Sequence, residues 1–206
     1  MRSIFDMENP FWSALSVIAD MMLLNLLTLL CCIPIVTMGA AFTALNDMVI
    51  HIVRQEEGSI VRGYGRSLRQ NLRNGILFGL FLLLMIGLLY FDYLCALVYA
   101  PVFRYGIAAL AILLLALSIY SFALLARYEN SLFMTIKNAA VLCVGYFPRT
   151  LGILSFTLAL WLLGIRFYRI GAPILFLFGF ALPCYISILI LRKVFEELEK
   201  ETEKND

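Results

Sequence analysis

The chain has 206 residues, 63% hydrophobic and only 15% charged, with 16 basic against 14 acidic side chains, and its mean hydropathy is +0.92. A soluble domain of this length carries about a quarter charged residues. So few charges cannot cover so much apolar surface in water, which excludes a water-soluble globule and makes lipid the solvent.

The first apolar run, 11–33, is too long for the core of a signal peptide, and Asp6 and Glu8 spoil the basic flank such a peptide needs. It reads as a retained helix carrying Asp20 and Asn25. Pro34 then breaks the chain, and Thr37 is placed to cap the returning run 37–53, which carries Asn46, Asp47 and His51. No Lys or Arg occurs between residues 3 and 53, which predicts a tight hairpin buried whole. Gly39, Thr43 and Asp47 recur four apart and predict close approach of these first two helices.

From Ser59 to Arg73 the pattern changes. Ile60, Tyr64, Leu68 and Leu72 mark one face, and Arg62, Arg66, Arg69 and Arg73 another. That is a short basic amphipathic helix suited to the headgroup level, either an anchor on anionic membrane lipid or a docking face for a partner. The run 75–95 follows, opening on Gly75 and Gly79, a GxxxG that is a frequent accident in apolar helices. Then come 105–126, a weaker amphipathic stretch at 131–146 with Lys137 and Asn138, 147–165, and 170–191 with a kink expected at Pro183. The charged tail, 195–206, continues the last helix into water, with Glu196 and Lys200 in the favourable i,i+4 order.

The expected fold is all-α: one integral membrane helical bundle over 1–206, with about six transmembrane helices plus one or two short interfacial helices. With six crossings, thirteen of the sixteen basic residues fall on one side, and only Arg104, Arg166 and Arg169 on the other. The positive-inside rule then places both termini in the cytoplasm of a multi-pass protein.

Ionisable groups within a bilayer are costly and functional by default. Asp20, Asn25, Asn46, Asp47 and His51 form the candidate intramembrane cluster, with two readings: a polar site for an ion, proton or solute, or interhelical hydrogen bonding, which is favoured. Five cysteines without C-x-x-C spacing read as small packing residues, and a single histidine leaves no His-rich metal site. No metal ligand set, cofactor motif or catalytic residue is predicted. The sequence lacks GxxxxGK[ST], G-x-S-x-G and H-E-x-x-H, so an enzyme is not expected, and nothing suggests nucleic acid as a partner.

Asn9-Pro10-Phe11-Trp12 and the stretch from Asn25 to Ala41, including Cys31-Cys32-Ile33-Pro34-Ile35-Val36-Thr37-Met38-Gly39, resemble the YesL-like family, DUF624, of small bacterial membrane proteins. The agreement continues through Thr43-Ala44-Leu45 and from Glu57-Gly58 to Arg69-Asn71; beyond that it lies mainly in hydropathy. In this resemblance Asn9, Pro10, Pro34, Thr37 and Gly39 read as a folding signature: Asn9 a cap, Pro34 a hairpin breaker, Gly39 a close-packing residue. The resemblance implies a bacterial plasma membrane protein, often encoded beside ABC importers for plant-polysaccharide fragments. It therefore implies an accessory subunit bound to importer permease subunits, with direct sugar binding left open. A stand-alone transporter or channel, and a membrane sensor of carbohydrate uptake, are the alternatives.

Overall fold

The computed structural model describes residues 10–56, 58–99, 102–128 and 131–203. Asn9, Glu129 and the last three residues lie outside them. Among the described residues the chain is helical without strands: α1 (Pro10–Cys31), a short 3-10 turn (Ile35–Thr37), α2 (Met38–Val53), α3 (Ile60–Gln70), α4 (Leu72–Tyr99), α5 (Phe103–Arg127), α6 (Leu132–Gly145), α7 (Phe147–Arg166), α8 (Tyr168–Phe178) and α9 (Ala181–Glu203). Four helical segments are long and apolar enough to cross a membrane: Ile35–Val53, Leu72–Leu97, Phe103–Arg127 and Phe147–Arg166. A bent pair, Gly171–Phe178 with Ala181–Arg192, makes a fifth, and α1 contributes the shorter apolar stretch Leu15–Cys31. This is a multi-pass membrane protein.

The six apolar runs expected from sequence all form helices, but their roles differ. α2 is the hub. Eleven of its sixteen residues are buried, packed among α1, α3, α4, α5 and α9. The hairpin is not buried whole, however, because α1 turns Leu15, Ile18 and Leu30 outward. Neighbouring helices supply α2 with its apolar surroundings, so it needs no lipid-facing stripe.

The basic stretch also departs from expectation. The helix stops at Gln70, and Leu72 and Arg73 begin α4. α3 packs back on the first two helices: Tyr64 is buried and its hydroxyl donates to the Ala41 carbonyl at 3.2 Å. Gly63 lies against the Met48 thioether, whose flexible end would have to shift to admit a β-carbon. Arg62, Arg66 and Arg69 are exposed on the opposite side, as is Arg73 on α4.

The closest helix approach is between α2 and α4. A β-carbon on Gly39 would stand 2.7 Å from the Gly79 α-carbon, and one on Gly75 would stand 2.6 Å from the Ala40 α-carbon. The GxxxG is therefore a contact surface rather than an accident. Gly39, the first residue of its four-spaced stripe, lies against α4 rather than α1. This contact also sets the level of the chain. The first turn of α2 and the first turns of α4 lie side by side, so α3 carries the chain back along α2 after Val53. Strict alternation of six crossings would separate the Pro34 turn from Arg73 by the whole membrane, whereas the starts of α2 and α4 lie side by side here.

Candidate functional site

The α8–α9 segment bends by 56° at a break of two residues, Gly179 and Phe180. Pro183, in the first turn of α9, has no N–H to return to the Gly179 carbonyl, so the ladder cannot run through. The expected kink thus falls just ahead of the proline. Broken backbone in a bilayer must find partners within the protein, and Asn25 supplies them. Its Nδ2 donates to the Phe176 carbonyl at 2.7 Å, while its Oδ1 accepts from the N–H groups of Phe180 at 2.9 Å and Ala181 at 3.0 Å. The side chain is fully buried. One amide on α1 therefore holds both sides of the break.

A cavity of about 270 Å³ lies beside this break. Its walls come from α2 at Phe42 and Asn46, α4 at Gly79 and Ile86, α5 at Ser118 and Phe122, α7 at Thr157 and Trp161, and α9 at Pro183 and Ser187. The polar side chains among them turn to their own helices. Asn46 Nδ2 donates to the Phe42 carbonyl at 2.9 Å, Ser118 to Leu115 at 2.8 Å, Thr157 to Ile153 at 2.8 Å and Ser187 to Pro183 at 2.7 Å. Phe42, Phe122 and Phe180 form an aromatic corner, with Phe180 edge-on to Phe42 at 5.1 Å between centroids. What remains is an apolar chamber.

The predicted polar cluster does not assemble as one site. Asn25 serves the break, Asn46 borders the cavity, and Asp47 and His51 belong to the far end of α2. There His51 Nδ1 lies 2.9 Å from the Asp47 carbonyl and 3.7 Å from Asp47 Oδ1, while Nε2 is 3.3 Å from Glu56 Oε2. Arg54 joins Glu56 at 3.8 Å. This group is half exposed, and no ion pair among the described residues joins it to Asp20.

The signature residues are structural in placement. Pro10 opens α1 and Pro34 precedes the 3-10 turn. Thr37 does not cap α2; its hydroxyl donates back to the Cys31 carbonyl at 2.7 Å and the Pro34 carbonyl at 2.9 Å, tying the hairpin turn. Thr37 already has helical backbone angles, so its side chain points away from the N–H groups a cap must reach. Behind the turn, burial raises the Tyr64 phenol above its ordinary value, and contact with Thr28 pulls the other way.

The kink at Pro183 was expected from sequence, but the cavity and the clamp that Asn25 places across the break were not, because both depend on contacts between distant segments. Asn25, a lone amide in an apolar helix, and Pro183 were the available signals. No group of side chains able to hold a metal ion occurs among the described residues.

No curated protein and no solved structure matches the chain. Residues 21–93, which hold Asn25, the hairpin turn, α2, α3 and the paired glycines of α4, match the family model described as Protein of unknown function, DUF624.

Proposed function

We propose that the chain is a non-catalytic accessory membrane subunit that binds the permease subunits of an ABC importer for oligosaccharides and stabilises or tunes them. The observation that carries the non-transporting part is the fate of its buried polar groups. Asn25, Thr28, Thr43, Asn46, Ser118, Thr157 and Ser187 each satisfy this chain's own backbone. A sugar leaving water must be met by hydrogen-bonding groups at every depth, and these seven side chains already engage their donors within the chain. α4 and α7, by contrast, expose long apolar faces, including Leu84, Phe91, Leu158 and Leu162, which suit flat contact with other transmembrane helices. The resemblance to a family encoded beside importers of plant-polysaccharide fragments supports the choice of partner and a bacterial plasma membrane location.

The experiment is a tagged pull-down in mild detergent from the native host grown on plant polysaccharide, read by mass spectrometry. Recovery of two importer permeases in amounts comparable to the bait is the expected result. Recovery of the chain alone, as monomer or homo-oligomer, rejects the reading.

One observation favours a second reading. A broken helix beside a cavity is how many secondary transporters build a substrate site. A small transporter would show flux of a solute in proteoliposomes holding this chain alone, which the accessory role does not.

A further inference from the structure

The cavity continues outward. A second hollow, of about 390 Å³, shares Leu82, Ile86, Leu115 and Ser118 with the first and runs on between α4 and α5 to Tyr90, Tyr93 and Ile107. Together they form one cleft following α4 from Gly79 to Tyr93, about 21 Å at the helical rise. That exceeds one leaflet's share of a hydrocarbon core about 30 Å thick. Its inner end is lined by Phe42, Asn46 and the α8–α9 break, and its side lies open at the exposed Ile86, Ala108 and Ala111. At its outer end the exposed phenols of Tyr90 and Tyr93 stand near the start of α5, where exposed Arg104 lies one turn before Ile107.

We propose that this cleft is a binding site for one phospholipid of the membrane, its acyl chain lying between α4 and α5 with the tail against the α8–α9 break and its phosphate near Arg104. Three observations select that occupant. The hydroxyl and amide donors of the inner chamber are engaged by their own helices, so the walls offer chiefly methylenes and rings and few free donors for a polar solute. The opening faces hydrocarbon, the medium from which a chain would enter. The outer end offers a cation and two phenols at the level expected of a headgroup. An apolar hollow of this size takes up apolar guests in preference to water. The site is independent of the proposed importer partnership.

The test uses the full chain in bilayers of phosphatidylglycerol and phosphatidylethanolamine containing a phospholipid with a diazirine at one acyl terminus, followed by irradiation and peptide mapping. Label is expected on α2 at Phe42–Asn46 and on α9 at Phe180–Ser187, above that on the outward residues Leu158 and Leu162. Ala111→Trp, which plugs the exposed entrance, should reduce interior label at least fivefold while leaving outward label and elution unchanged. Ala108→Trp serves as a second plug. Arg104→Gln should lower interior labelling by anionic relative to zwitterionic probe about fivefold, the worth of one interfacial cation. Wild-type label confined to outward faces overturns the proposal, as does interior label indifferent to both plugs. Displacement of the interior label by a water-soluble oligosaccharide also overturns it and makes the cleft a solute site.

Discussion

Asn25 shows how much one side chain can settle. Its fully buried amide serves three backbone groups across the break. Leaving a buried donor or acceptor unmet costs about 1–3 kcal/mol each. Asn25→Ala should therefore destabilise the protein by about 3 kcal/mol or more, read as a lower thermal midpoint in detergent. Ser121 is the opposite case: its buried hydroxyl has no partner among the described residues. Ser121→Ala should be neutral or stabilising by about 1 kcal/mol in the same assay. Tyr64 adds a pH term. Burial holds its phenol above the ordinary value of 10.0, so its stabilisation is present below about pH 10 and is lost as pH rises further. A wild-type midpoint that falls above pH 10 no faster than that of Tyr64→Phe would contradict this. In the sequence Asn25 was visible as a lone polar residue, but its partners lie more than 150 residues away, and composition cannot reach that far. Thr37 misled for a local reason: residue type suggested a cap, and backbone angle decided otherwise.

Among the elements, the α2–α4 pair is held by the absence of side chains. Gly39, Gly75 and Gly79 bring two backbones together where a β-carbon would come within 2.8 Å of a backbone atom. Gly79→Ala should part the helices and cost several kcal/mol, as overpacking of a tight interface does. Gly87→Ala, with open space around its position, should be harmless or slightly stabilising; equal midpoints for the two variants would sink the argument. Each glycine was legible from sequence, and so was each apolar run, because runs of this length admit little besides helix; that the last run divides into α8 and α9 was not. Which stripe met which was not, since GxxxG carries no address. The amphipathic character of α3 was equally plain. Its destination on α1 and α2 depended on Tyr64 reaching Ala41, a contact without a periodic signal.

The whole molecule is arranged around α2, with α3 returning the chain so that α2 and α4 begin at one level. Cysteines placed at Ile35 and Asn74, in a background lacking the native five, should accept an impermeant thiol reagent from the same face of sealed vesicles. Labelling from opposite faces would instead support strict alternation of six crossings. Hydropathy could count the apolar segments but could not order them in depth, because arginine positions constrain sides only when each run is a full crossing.

The Asn25 clamp also imposes an order on biosynthesis. Its carbonyl partner at Phe176 is 151 residues further along the chain, and at about 5–20 residues per second the ribosome needs roughly 8–30 s to supply it. Until then the first helix sits in the membrane with an unmet amide, a natural mark of an unfinished chain. Truncation before α8 would leave that mark permanent, and such fragments should be cleared faster than the full-length protein by membrane quality-control proteases.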